Sequence, residues 1–163
     1  MMRIRSASPA DVALILRFIR ELARYERLED RVVATEDSIR ETLFGTRPYA
    51  EVIIAEDDDQ PVGFALFFHN YSTFLGQPGI YLEDLFVVPE GRGRGYGKAL
   101  LAELARIAVA RNCGRVEWAV LNWNTPSIEF YKALGAKPQD EWMVYRLTGD
   151  ALTKLAGVTS PGS

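Results

Sequence analysis

Arginine and glycine alternate through Arg92-Gly93-Arg94-Gly95-Tyr96-Gly97, between an apolar stretch at residues 80–88 and a helical pattern at residues 98–112. Glycines free the backbone to turn its N–H groups inward, and the helix that follows adds the positive end of its dipole. Two arginines in the same loop supply fixed positive charge suited to phosphate. The run therefore predicts a cradle for a pyrophosphate-bearing compound. By itself such a run also fits a flexible basic loop without a ligand.

The common nucleotide motifs do not fit. A Walker loop needs Gly-Lys followed by Ser or Thr, and the chain has Gly97-Lys98-Ala99. A dinucleotide fingerprint needs its third glycine three positions after the second, a spacing that Gly91, Gly93, Gly95 and Gly97 do not offer. What remains is Arg92-x-x-Gly95-x-Gly97 after a strand.

The chain has 163 residues, 48% hydrophobic and 25% charged, which suits one globular domain over residues 1–156 with a disordered tail at 157–163. No stretch is long and apolar enough to cross a bilayer, and residues 1–5 read as a strand rather than a signal peptide, so the expected location is cytoplasmic. A single cysteine, Cys113, and a single histidine, His69, offer neither a disulfide, a metal cluster nor a thiol–imidazole pair. A net charge of −3 argues against nucleic acid as a partner and fits a small cationic substrate.

The elements that must position the loop alternate along the chain. Strands are predicted at 3–7, 49–56, 62–70, 80–88, 115–121 and 142–147, and helices at 8–24, 35–44, 98–112, 126–134 and 150–155. Ser8-Pro9-Ala10-Asp11 opens the first helix with a cap and an N-terminal proline, and Thr35 and Gly45 bracket the second. Asp57-Asp58-Asp59-Gln60-Pro61 reads as a hairpin turn rather than a metal site. The strand, helix and strand around the glycine loop require a parallel pair.

This layout resembles the GNAT N-acetyltransferase superfamily over almost the whole chain. More narrowly, Tyr25-Glu26-Arg27-Leu28, Tyr71-Ser72-Thr73-Phe74, 81–87 and Val120-Leu121-Asn122-Trp123-Asn124, continuing into Phe130-Tyr131-Lys132-Ala133-Leu134-Gly135-Ala136, resemble the diamine (spermidine/spermine) and thialysine N-acetyltransferase group. The resemblance implies a mixed α/β fold, with a mostly antiparallel sheet of six to seven strands splayed at a parallel pair and flanked by helices. It also implies acetyl-CoA as co-substrate, no metal, and a homodimer with exchanged C-terminal elements. Phe74 stands where the diamine enzymes tend to have tryptophan and Ser72 where an acid is often found, which favours a lysine-like or short amine over a long polyamine.

Acetyl transfer to an alkylamine of pKa roughly 10.4 needs the removal of a proton before attack. Glu83, on an otherwise apolar strand where burial would raise its pKa, is the candidate base, acting through a bridging water. The plain alternative is a salt bridge from Glu83 and Asp84 to a nearby arginine. The departing thiol has a pKa of ~8.5, so an acid at sulfur helps it leave. The resemblance assigns that acid to Tyr131, which spacing alone would read as a core aromatic. It also implies that Tyr25, Glu26, Glu83 and Asp84 gather the amine. The cofactor falls to the backbone of Leu85, Phe86 and Val87, to Arg92, Gly93, Arg94, Gly95, Tyr96, Gly97 and Lys98, and to Asn124 and Ser127 with Tyr131. As an ordinary cap pair Asn124 and Ser127 would look the same. Two further readings stay open: a protein lysine or N-terminal acetyltransferase, and a silent CoA-binding sensor.

Overall fold

The antiparallel strands β1 (Met2–Ser6), β2 (Glu51–Asp57), β3 (Gln60–Ser72) and β4 (Gln77–Val87) lie side by side in sequence order, and β5 (Val116–Trp118) joins β4 in parallel. The computed structural model describes residues 1–158, which fall into two compact units, Met1–Leu121 and a second from Asn122 onward. The mixed sheet with one parallel pair agrees with the expected architecture. Its strand count does not: five strands form among the described residues, not six or seven. The expected strand at 142–147 has no ladder, and Trp142, Met143, Val144 and Tyr145 stand exposed. Side chains that favour strands make one only where a neighbouring edge completes their hydrogen bonds. β5 is likewise shorter than the 115–121 expected.

Two layers of helix cover the sheet. α1 (Val12–Tyr25) turns Val12, Ile15, Leu16 and Phe18 onto Val52, Ile54, Phe64 and Phe86, with Ile39 of α2 (Glu36–Phe44) closing the cluster. The Phe18 ring lies 5.5 Å from those of Phe64 and Phe86. Each such side chain stabilises the fold by about 1.5–3 kcal/mol. On the opposite face α3 (Tyr96–Ala110) approaches so closely that a Cβ on Gly63 would come within 3.4 Å of Leu100 Cδ1. β3 divides accordingly: Phe64 and Leu66 look toward α1, while Gly63 looks toward α3 and Phe67 toward Arg111, just past the end of α3.

Local signals set the boundaries. At the expected start of the first helix the Ser8 N–H donates to Asp11 Oδ2 at 2.8 Å, and at the second the Ser38 N–H donates to Thr35 Oγ1 at 3.1 Å, the side-chain cap expected there. Asp58 and Asp59 take positive φ of 50° and 62°, as a two-residue hairpin turn requires, which accounts for the acidic triplet without a metal. Arg5 ties the sheet to the start of α1, reaching Asp11 with both Nη atoms at 2.9 Å and Glu56 with Nε at 2.8 Å.

In the second unit, α4 (Thr125–Ala133) is capped by Asn124, whose side chain accepts from the Ser127 N–H at 3.3 Å, and it ends at Gly135 with φ 91°. α5 (Gly149–Ala156) closes at Gly157, also with positive φ. Of the tail expected at 157–163, residues 159–163 lie outside the described residues.

Candidate active site

The glycine loop forms a tight turn between β4 and α3. Gly93 and Gly95 have φ of 80° and 86°, which only glycine adopts without strain, and a Cβ on either would meet no atom within 4 Å. Ala99 N–H is the first to close a helical bond, to Gly95 O at 3.0 Å. The N–H groups of Tyr96, Gly97 and Lys98 precede it at the positive end of α3. Glycines opening onto free space beside such donors fit a pyrophosphate. Arg92, Arg94 and Lys98 are exposed around the turn. Arg92 lies 4.8 Å over the Tyr25 ring, and Arg94 packs over Tyr96 with Nη2 3.7 Å from Asp57. The Tyr96 side chain turns inward, buried against Gly91, and donates its hydroxyl hydrogen to Asp57. Tyr96 therefore brings a backbone N–H to the turn while its ring anchors it.

Beyond the turn, β4 outruns its parallel neighbour. Pairing with β5 stops at Leu82↔Trp118, while β4 continues to Val87. Val88 N–H bonds Val62 O at 2.9 Å, so backbone groups two residues away, at Phe86, also face β3. By the same alternation Leu85 and Val87 point to the side that β5 has left. Of the three residues expected to offer main-chain groups, Leu85 and Val87 are oriented to do so, and Phe86 spends its groups on Phe64.

A β-bulge builds the acidic half. Leu66 pairs with Asp84 but the next residue, Phe67, pairs with Leu82, leaving Glu83 as the extra residue. Cross-strand partners share a face, so Leu82 follows Phe67 toward the α3 side and Asp84 follows Leu66 toward α1. There Asp84 feels the charge of Glu26, the residue just past the end of α1. Burial first, and then the charges of Glu83 and Glu26, push the Asp84 carboxyl up to about 6. Burial and then Glu83 raise Glu26 in the same direction. Glu83 itself is exposed, so the burial expected of it falls on its neighbour. Glu26, Glu83 and Asp84 thus gather acidic side chains where α1 ends, an arrangement that suits a cation. Among the described residues no group of His, Cys, Asp and Glu is arranged to hold a metal.

The same face continues past the acids to residues that sequence reasoning missed. Tyr81 stacks on Phe68 at 5.3 Å, and its phenol is raised by burial and then by Glu83 and Glu117. Glu117 is the register partner of Tyr81 and forms an ion pair with Arg115 at 2.8 Å. The only sequence signal was a pair of opposite charges two apart on a strand.

In the second unit Tyr131 is half-buried on α4, its ring 5.6 Å from that of Phe130. Asn124 is buried and serves as the α4 cap, with Ser127 donating to it.

Comparison with known proteins bears directly on this geometry. The family model for the acetyltransferase (GNAT) family matches residues 16–136. The chain belongs to that family. A thialysine N-epsilon-acetyltransferase from Bos taurus is 40% identical over 165 residues, covering 94% of this chain and 96% of the relative. L-ornithine N5-acetyltransferase NATA1 from Arabidopsis thaliana is 36% identical, covering 94% and 87%. An integron cassette protein from Vibrio cholerae has the same fold at a TM-score of 0.81 and 30% identity, over 95% of this chain and 97% of the other. The chain is thus a GNAT N-acetyltransferase, of a family that uses acetyl-CoA as co-substrate. No helix among the described residues is long and apolar enough to cross a membrane.

Proposed function

We propose that this N-acetyltransferase moves the acetyl group of acetyl-CoA to the terminal primary amine of a small cationic acceptor of lysine or ornithine type. The observation that carries the reading is the carboxylate cluster of Glu26, Glu83 and Asp84, tied to the anion turn through Arg92 on Tyr25. The names of the thialysine and ornithine relatives support the same acceptor class.

Acetyl-CoA, when bound, supplies an activated thioester. Gly93 to Lys98 hold the pyrophosphate through backbone N–H groups, helped by Arg92 and Arg94. Leu85 and Val87 hold the extended arm as a neighbouring strand would, and one of their N–H groups polarises the acetyl carbonyl. Tyr25, Glu26 and Asp84 draw the ammonium onto the α1 face. Glu83, exposed on the bulge, accepts through a water the proton that the amine must lose. Tyr131 holds at its hydroxyl the proton that a departing thiolate needs, a role taken from the resemblance of its sequence block. Asn124 and Ser127 are assigned to the cofactor on the same ground. We further propose a single catalytic domain over residues 1–156 that works as a cytoplasmic homodimer without a nucleic-acid or membrane partner. Light scattering at one chain mass would remove the dimer.

The test is thiol release from acetyl-CoA with a panel of lysine analogues, ornithine, polyamines and peptides. Turnover is expected with the amino-acid amines. Thiol release with no amine in the panel, or with peptides alone, overturns the reading.

A further inference from the structure

We propose that Glu117 on β5 and Arg115 just before that strand read, respectively, the α-ammonium and the α-carboxylate of the acceptor, making the enzyme selective for α-amino acids with a terminal amine over plain diamines. The inference rests on the function proposed above and adds the residues that would set its substrate class.

The geometry runs along one face of the first unit. Asp84 lies on the α1 face with Leu66, and Phe68, two residues on from Leu66, stacks on Tyr81. Tyr81 pairs with Glu117, and Arg115 precedes Glu117 by two residues, so Arg115 shares that face. A Cβ on Gly79 would meet Asn70 Oδ1 and lie 3.2 Å from Arg115 Cγ, which puts those two side chains together over Gly79. Asn70 Nδ2 donates to Glu117 Oε1 at 3.2 Å, and Arg115 Nε lies 2.8 Å from the same oxygen. Both contacts fall on Oε1 and turn Glu117 in place. The Arg115 and Glu117 side chains are 39% and 36% exposed, so each still reaches solvent with part of its charged group.

An ion pair of this kind is complementary to a zwitterion. A guanidinium takes a carboxylate in a planar fork, and a carboxylate beside it takes the ammonium. Glu83 is two residues beyond Tyr81, about 7 Å along β4, and Glu117 is one strand away, about 4.8 Å. That separation is of the order of an extended ornithine or lysine side chain. The floor between the two charged ends is aromatic, Tyr81 and Phe68, which suits methylene groups. A diamine would satisfy the acids at one end and leave Arg115 facing a second ammonium, a like-charge contact that rejects it.

The experiment is steady-state kinetics on the full chain with acetyl-CoA, comparing L-ornithine with 1,4-diaminobutane and L-lysine with 1,5-diaminopentane. The wild type is expected to prefer each amino acid, and Arg115→Ala to lower the kcat/KM ratio of amino acid to diamine by at least about tenfold, mainly through the KM of the amino acid. Arg115→Lys should recover part of that ratio. Glu83→Gln should lower both rates and leave the ratio within about twofold. If Arg115→Ala fails to fold, Arg115→Gln carries the same comparison. A wild type that uses diamines as well as amino acids, or an Arg115 variant whose ratio stays within about twofold, overturns the proposal while the acetyltransferase reading stands. A wild type that acetylates neither class removes both.

Discussion

Leu82 and Asp84 stand two residues apart on one strand and look to opposite faces of the sheet. An unbroken strand would put them on the same side; Glu83, inserted between the Leu66 and Phe67 pairings, reverses the alternation. The reversal lets one strand give Leu82 to the α3 core and a carboxylate to the face where α1 ends. It also leaves Glu83 exposed beside Asp84, where a proton acceptor can meet an incoming amine.

Asp84 makes stability depend on pH. Its folded pKa of about 6 exceeds the ordinary 3.8, so the folded state binds more protons between those values. Stability therefore falls as pH rises through that window and rises again on acidification. Asp84→Asn should stabilise the protein by about 1–2 kcal/mol at neutral pH, allowing for solvent reach to a half-buried group. The difference should fade near pH 4. Thermal melts at both pH values check this; an equal loss of Tm at both would refute it. The same substitution should raise the KM of the amine and leave that of acetyl-CoA alone.

Arg5 holds two buried carboxylates, Asp11 and Glu56, and both lie below the usual carboxylate range because of it. Arg5→Met leaves Asp11 without its guanidinium and should cost about 3–5 kcal/mol by urea denaturation. Arg24→Met removes an exposed pair with Glu29, screened by water, and should leave the urea midpoint nearly unchanged. Similar losses for the two would show that burial is not what matters.

The glycines of the anion turn can be tested against one elsewhere. Gly95 and Gly76 both have positive φ and open space around a Cβ. Alanine at either should cost about 1–2 kcal/mol of backbone strain. Only Gly95→Ala should weaken acetyl-CoA binding, by more than about tenfold in calorimetry. Equal binding by both variants would remove the turn from the cofactor site.

Glu83 and Tyr131 should separate by kinetics. Glu83→Gln should depress kcat/KM for the amine about a hundredfold, and most at low pH, where less of the amine is already neutral. Tyr131→Phe should lower kcat without changing the Kd of acetyl-CoA. Full turnover by Tyr131→Phe would withdraw it as the proton donor.

Much of the frame was legible because its signals are local. Ser8 and Thr35 as caps, the aspartate hairpin and the glycine turn each depend on a few adjacent residues and a backbone angle. The bulge was not legible, since it is a property of the pairing between β3 and β4, and no pattern within 80–88 shows which residue the neighbour skips. For that reason the raised carboxyl is Asp84 and not Glu83. Residues 142–147 have the composition of a strand but form no ladder among the described residues, and Arg115 and Glu117 join the acids only through the parallel pairing.

That parallel pairing has few rungs. Three register pairs hold β5 to β4, and the connection between them runs through α3, whereas β2, β3 and β4 zip together as neighbouring hairpins. Contacts far apart in the chain form late, and sparsely bonded edges open first. Amide exchange should accordingly be faster at Val116–Trp118 than at the centre of β3, so the strand carrying Glu117 is the margin where the domain breathes.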